Sequence, residues 1–280
     1  MLHVDCSNKQ VWDTSCVPML ADFGSEQSRD ASEDAVLGGR LRLRQPVHGH
    51  RVGHDAILLA AACPGRAGEH AADLGAGVGA AGLALARRIA GLDVTLVEVD
   101  ERLAALAREN AQLNGLAARV RIAKLDVAAS ARAHAAAGLH AGSLSRVLMN
   151  PPFNDPARLR PSPDSRRRFA HGAVRGTLAI WVRTAARLLR PGGTLTFIWR
   201  ADALDEALQA VAADFGATTV LPIHPMPRKP AIRVLVRATK GSRAPMALLP
   251  GFVLNDAAGR SSQDAEAVLR QGASLPLAQT

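Results

Sequence analysis

The stretch Asp73-Leu74-Gly75-Ala76-Gly77-Val78-Gly79 decides the fold of this chain. It closes a short apolar segment, His70–Leu74, which predicts a β-strand, and it opens residues 80–90, whose apolar side chains recur at helical spacing. Glycines between a strand and a helix let the backbone turn tightly and approach a ligand closely. The stretch therefore predicts a ligand site at the carboxyl end of a strand in an open α/β sheet.

The segments on either side continue this alternation of strand and helix. Further strands are predicted at 94–97, 120–125, 146–149, 194–199, 218–223 and 232–236. Helices are predicted at 101–113, 176–189 and 202–215, with an alanine-rich helical stretch after 125. Five strands that alternate with helices indicate parallel pairing, and the last two, which lack a helix between them, indicate an antiparallel pair. The expected fold is a Rossmann-like α/β fold: a mostly parallel, twisted, seven-stranded sheet with an antiparallel edge hairpin.

The ends of the chain carry weaker patterns. Residues 1–34 show no periodicity and are interpreted as a poorly ordered leader. A Gly-Gly turn between alternating residues predicts a hairpin at 36–44, followed by a short buried helix at 56–62. We expect one domain over 35–240 and a weakly patterned C-terminal extension over 241–280.

Composition narrows the class of protein. The chain has 280 residues, 48% of them hydrophobic, which excludes a fully disordered protein. Its 34 Lys and Arg exceed its 25 Asp and Glu, a net charge of +9 that favours an anionic partner, with nucleic acid first and a phosphorylated small molecule second. Three cysteines without a CxxC pair predict free thiols, no metal site and a cytoplasmic, reducing location. Neither a signal peptide nor a membrane span is predicted.

Acidic residues end three successive predicted strands: Asp73, Glu98 and Asp126. The run from Gly77 to Gly82 also fits the dinucleotide pattern GxGxxG, with Glu98 placed to hold a ribose. Asp73 favours S-adenosylmethionine instead, because its carboxylate would attract a cationic amino group and repel a pyrophosphate. Asp126 would accept a hydrogen bond from an adenine amino group.

These motifs resemble the cofactor site of class I S-adenosylmethionine-dependent methyltransferases. The resemblance implies that Asp73 contacts the methionyl part, Glu98 the ribose hydroxyls and Asp126 the adenine. The predicted cofactor-binding residues are Asp73, Gly75, Ala76, Gly77, Gly79, Glu98 and Asp126.

The tetrapeptide Asn150-Pro151-Pro152-Phe153 follows the fourth predicted strand of the alternating series. It resembles the (Asn/Asp/Ser)-Pro-Pro-(Tyr/Phe) motif of methyltransferases that act on planar nitrogens. The Asn150 side-chain oxygen and the Pro151 carbonyl can accept N–H bonds from an exocyclic amine and direct its lone pair at a sulfonium methyl. The prolines stiffen the loop, and Phe153 offers a face on which a base can stack. These four residues are the predicted catalytic site.

Two basic segments are candidates for RNA binding. The first follows the tetrapeptide and contains Arg158, Arg160, Arg166, Arg167 and Arg168. The second is Arg228-Lys229, in the proline-rich loop between the last two strands. Such clusters bind phosphates, and they also occur as solvated charge runs.

The segment from Gln45 to Leu59, together with the motifs above, resembles bacterial tRNA adenine-N6-methyltransferases, a family known for adenine-37 of a valine tRNA. His50 departs from it, because the family more often has an aromatic residue there. The resemblance implies methylation of an adenine N6 amine in tRNA. Guanine-N2 methylation of ribosomal RNA and glutamine-N5 methylation of a protein stay open as alternatives. A nicotinamide-dependent oxidoreductase and a non-catalytic RNA-binding domain are less favoured, and the oligomeric state is left open.

Overall fold

A computed structural model describes residues 31–48, 51–152 and 177–279. Its strands are β1 (Ala31–Val36), β2 (Leu41–Pro46), β3 (His70–Leu74), β4 (Asp93–Glu98), β5 (Val120–Lys124), β6 (Leu144–Met149), β7 (Leu189–Arg200), β8 (Phe215–His224), β9 (Arg233–Lys240), β10 (Ala247–Leu248) and β11 (Phe252–Val253). Its helices are α1 (His54–Ala62), α2 (Ala80–Arg88), α3 (Glu101–Leu113), α4 (Ala131–Ala136), α5 (Thr177–Leu188), α6 (Leu204–Val211) and α7 (Gln263–Leu269). Among these residues no helix has both the length and the apolarity needed to cross a bilayer.

The main sheet confirms the predicted α/β fold. The strand order is β10-β8-β9-β7-β6-β3-β4-β5, and β3 to β7 pair in parallel. β9 lies between β7 and β8 and is antiparallel to both. One buried cluster includes residues of α1 and α2, and a second includes residues of α5 and α6. The carboxyl ends of the five parallel strands therefore meet at one edge, between two helical layers.

The sequence predicts that the antiparallel hairpin forms the edge of the sheet, but in the structure a further strand lies beyond it. β10 and β11 both pair in parallel with β8, so the sheet has nine strands among the described residues rather than the predicted seven. Leu275 and Leu277 are fully buried, and the Leu275 amide donates to the Ala61 carbonyl at 2.9 Å. The segment after Gly241 therefore covers the otherwise unpaired edge of β8 with β10 and β11, and the Leu275 bond joins the end of the described chain to α1. The division at residue 240 stays a prediction.

Several elements differ in their bounds from the prediction, and α6 and β7 show why. The helix predicted over 202–215 ends at Val211, and Phe215 is the first residue of β8, where it pairs with Lys240. Phe215 continues the apolar spacing of α6, so periodicity alone does not separate the two elements. β7 begins at Leu189, and its pairing to β6 shifts between Leu189 and Thr194, a stretch in which Gly192 has a left-handed φ of +74°.

The hairpin predicted over 36–44 is present, but its first strand, β1, begins at Ala31, inside the segment interpreted as a poorly ordered leader. Buried asparagines of α3 hold the hairpin in place. Asn110 Nδ2 donates to the Arg44 carbonyl and its Oδ1 accepts from the Arg44 amide, at 3.0 and 2.7 Å. Asn114 makes the same pair of bonds with Arg42, at 2.7 and 2.9 Å. Asn110 Nδ2 also reaches the Val78 carbonyl at 3.0 Å, which ties the hairpin to the glycine turn.

Candidate functional site

The glycine turn between β3 and α2 is built on left-handed backbone and on bonds to β4. Gly75, Gly77 and Gly79 have φ values of +71°, +57° and +90°, a region that side chains other than glycine rarely adopt. The amides of Gly75 and Ala76 both donate to the Val97 carbonyl at 2.9 Å. Among the described residues no atom lies within 4 Å of where a Cβ on Gly77 would be. The turn therefore leaves open space above Gly77 for a ligand.

Asp73 lies beneath this turn, 2% exposed. Its Oδ2 accepts from the Gly82 amide, in the first turn of α2, at 2.8 Å. Burial raises the pKa of the Asp73 carboxyl to about 7, the Gly82 N–H lowers it, and the negative charge of Glu98 raises it further. The carboxyl thus also has a structural role, because it satisfies a free amide at the start of α2.

Glu98, at the end of β4, accepts hydrogen bonds that hold the turn in place. Its Oε2 accepts from the Gly77 amide at 2.7 Å and its Oε1 from the Asp100 amide at 2.8 Å. A carboxylate has about four acceptor positions, so two remain for further donors such as ribose hydroxyls. Asp126 lies two residues beyond β5, is exposed, and accepts from the Ala128 amide at 2.8 Å. The structure therefore brings all three predicted acidic residues to the same edge.

Asn150 follows β6 directly, and β6 lies beside β3, with Met149 paired to Leu74. Asn150 Oδ1 is buried and has no hydrogen-bond partner among the residues that the structure describes. Pro151 is buried and Pro152 is exposed. A buried acceptor without a donor is unfavourable, and it marks a place where a ligand N–H fits. Phe153 lies outside the described residues.

Trp181, on α5, lies against the glycine turn and was not singled out by the sequence analysis. A Cβ on Gly75 would lie 2.3 Å from its Cη2 atom and 2.8 Å from its Cζ3 atom. Gly75 is therefore required both by its φ and by this indole ring. The only signal in the sequence was an apolar aromatic residue in a predicted helix, which is usually a core position.

Residues 49–223 match the methyltransferase small domain family. The chain belongs to that family. It is a class I methyltransferase that uses S-adenosylmethionine, as the glycine turn and the acidic strand ends had indicated. The nicotinamide-dependent alternative is therefore set aside.

Relatives of this methyltransferase include two bacterial proteins named tRNA1(Val) (adenine(37)-N6)-methyltransferase. The one from Serratia proteamaculans is 29% identical over 68% of this chain and 71% of its own length. The one from Porphyromonas gingivalis is 30% identical over 66% of this chain and 72% of its own length. A release factor glutamine methyltransferase from Chlorobaculum tepidum is 28% identical over 53% of this chain and 51% of its own length.

A solved structure from Agrobacterium tumefaciens, reported as a predicted O-methyltransferase, is also similar to this chain. It has a TM-score of 0.67 and 31% sequence identity, and the match covers 79% of this chain and 98% of that one. The similarity therefore includes the fold of nearly all of that protein.

The residues at the strand ends fit S-adenosylmethionine. Space is open above Gly77, Glu98 retains acceptor positions beside it, and Asn150 Oδ1 is buried with no donor in the part of the chain that the structure describes. The donor is a cation at its sulfur, and the acidic side chains of this edge give it a favourable electrostatic environment. When bound, it supplies an electrophilic methyl group.

The second predicted basic segment lies at the same edge of the methyltransferase. Arg228 and Lys229 are exposed in the loop that follows β8, whose carboxyl end points the same way as those of the parallel strands. Neither has a carboxylate within salt-bridge distance among residues 31–48, 51–152 and 177–279. Arg228 has a left-handed φ of +61°, which is costly for a residue with a side chain. The residues Arg158, Arg160, Arg166, Arg167 and Arg168 lie outside the described part of the chain.

A cavity of about 250 Å³ lies away from this edge, between the hairpin turn, α1, α2 and the segment after α7. Arg40, Arg87 and Arg88 line it, and each donates to backbone carbonyls. These bonds join separate elements, so the arginines have a structural role here.

Proposed function

We propose that this methyltransferase transfers the methyl group of S-adenosylmethionine to the exocyclic N6 amine of adenine in tRNA. One observation carries the proposal: Asn150 Oδ1 is a buried acceptor without a donor among the described residues, directly beside the strand that bears the glycine turn. An amine N–H of the substrate satisfies it. The predicted catalytic residues are Asn150, Pro151, Pro152 and Phe153.

The chemistry of an aromatic amine explains why acceptors are needed. Its lone pair is delocalised into the ring, so the nitrogen is a poor nucleophile. Asn150 Oδ1 and the Pro151 carbonyl accept its two N–H bonds, which draws the nitrogen towards a tetrahedral shape and orients its lone pair. Because the methyl group on a sulfonium is already activated, the transfer needs no strong general base.

The choice of tRNA rests on charge and on the names of the relatives. The chain carries a net charge of +9, and Arg228 and Lys229 are exposed at the edge that bears Asn150. Phosphates of an RNA backbone bind such groups, and a loop base is cheaper to unstack than a paired one. Two relatives are named for adenine-37 of tRNA1(Val).

The test is methylation of tRNA with labelled S-adenosylmethionine, followed by digestion and mass spectrometry of the nucleosides. We expect N6-methyladenosine. Asn150→Ala should lower turnover by about 10²-fold or more, because it removes a preorganised group at the reacting atom, while donor affinity stays unchanged. Asn150→Asp is the matched control: it keeps an acceptor oxygen, and we expect it to retain part of the activity. N2-methylguanosine as the product, or full turnover by Asn150→Ala, would refute the proposal.

A second candidate acceptor is the amide nitrogen of a protein glutamine side chain, which is planar like the adenine amine. It is supported by the similarity to a release factor glutamine methyltransferase. The resembling glutamine enzymes usually have Tyr where this chain has Phe153, which favours the RNA substrate. Incubation with a release factor and labelled donor separates the two: label in protein and none in RNA supports glutamine.

A further inference from the structure

The indole of Trp181 contacts the backbone at the first glycine of the donor-binding turn. The edge of its six-membered ring lies against Gly75, where even a Cβ atom would be 2.3 Å away from Cη2. The side chain is only half-buried, although indole is largely apolar. An aromatic ring therefore lies at the surface of the turn at which the donor is expected.

The helix that carries Trp181 is anchored to the neighbouring strand ends. Thr184 Oγ1 donates to the Val127 carbonyl at 3.0 Å, and Arg187 Nη2 donates to the Ala129 carbonyl at 3.3 Å. Both acceptors lie just beyond β5, near Asp126. These bonds hold the helix beside the end of β5, and the ring itself packs against Gly75, so binding the donor costs little entropy in ordering the helix.

The carboxylates near the turn are already engaged with backbone amides. Asp73 Oδ2 accepts from Gly82, and both oxygens of Glu98 accept from the amides of Gly77 and Asp100. Burial also raises the pKa of Asp73 to about 7, so this carboxyl is not fully charged at neutral pH. The bonds to backbone amides fix these carboxylates in place, so the aromatic ring of Trp181 is a separate group that can meet the sulfonium charge of the donor.

We propose that Trp181 recognises the sulfonium charge of S-adenosylmethionine through a cation–π contact, and that it thereby favours the donor over the neutral-sulfur product. The inference rests on the proposed placement of the donor at the glycine turn. An indole ring attracts a nearby cation by about 0.5–2 kcal/mol, which is about 2- to 30-fold in affinity. S-adenosylhomocysteine has no charge at sulfur, so it does not gain this attraction.

The test is calorimetric titration of the full chain with S-adenosylmethionine, S-adenosylhomocysteine and sinefungin, which carries a charged amine near the sulfur position. We expect Trp181→Leu to weaken binding of the two charged ligands by about 5-fold and that of S-adenosylhomocysteine by less than 2-fold. Trp181→Phe keeps an aromatic ring and should restore most of the preference. Ile180→Ala is the matched control, since Ile180 lies on the same helix and is 39% exposed.

The outcomes separate this inference from the proposed function. Equal losses for all three ligands in Trp181→Leu, or none, would overturn the cation–π role while leaving the donor site in place. If the wild-type protein binds none of the three ligands, the donor site itself is wrong. Thermal unfolding of each variant shows whether Trp181→Leu is folded; if it is not, the ligand preference of Trp181→Phe and Trp181→His decides.

Discussion

Replacement of Asp73 by asparagine should remove a pH dependence from the stability of the ligand-free protein. Burial is the main reason that the pKa of this carboxyl rises from 3.8 to about 7 in the folded chain. A shift of about 3 units corresponds to about 4 kcal/mol, since each unit is about 1.4 kcal/mol. The folded state binds the proton more tightly than the unfolded state. This stabilisation of the folded state is therefore fully present below pH 3.8 and is lost as the pH rises through about 7.

Asp73→Asn keeps an oxygen that can accept from the Gly82 amide and carries no charge at any pH. The variant should therefore be more stable than the wild type at pH 8, by up to about 4 kcal/mol, and the difference should shrink towards pH 4. The free energy of unfolding of both proteins can be measured from pH 4 to pH 8 by urea unfolding followed by circular dichroism. Burial also lowers the pKa of His70, and this shift affects the stability of both proteins equally. The difference between their unfolding free energies therefore reports on Asp73 alone.

If the unfolding free energies of the two proteins vary in parallel over this range, Asp73 does not carry the raised pKa. An Asp73→Asn variant that is less stable than the wild type at pH 8 would also contradict this prediction, because the charged carboxylate would then stabilise the folded state by more than its desolvation destabilises it.

Two further predictions address the hairpin and the basic loop. Asn110→Ala should destabilise the protein by about 2–4 kcal/mol in urea unfolding, because it leaves the Arg44 amide and the Arg44 and Val78 carbonyls without these partners. A loss of less than about 1 kcal/mol would contradict the hydrogen bonds assigned to Asn110. Arg228→Gln with Lys229→Gln should weaken tRNA binding and lower the slope of log affinity against log salt by about 1–2, whereas exposed Arg108→Gln on α3 should not. A salt slope equal to that of the wild type would remove both residues from the interface.

Much of this methyltransferase was predictable because local patterns encode its elements. β3 and α3 have the predicted bounds, and Asp100 caps α3 by accepting from the Leu103 amide at 3.0 Å. Parallel pairing followed from the alternation of strands and helices, which also predicted that Asp73 and Glu98 end neighbouring strands. Each of these inferences uses residues close together in the chain.

The features that were missed depend on contacts between distant residues. Asn110 reads as an ordinary polar residue within a helix, and its role appears only when β2 lies beside α3. β10 and β11 are two residues each, too short for a periodic pattern, and they form because β8 offers a free edge.

Some features of the glycine turn follow from local chemistry, and others follow from packing. Its glycines, its acidic strand ends and the Asn-Pro-Pro run follow from residue type and spacing, because backbone conformation and hydrogen-bonding capacity are local properties. Packing decides the other features of the site. It buries Asp73 under α2, brings Trp181 against Gly75 and leaves Asn150 Oδ1 without a described partner. Burial and contact depend on which elements meet in space, and a linear order of residues does not specify those distances.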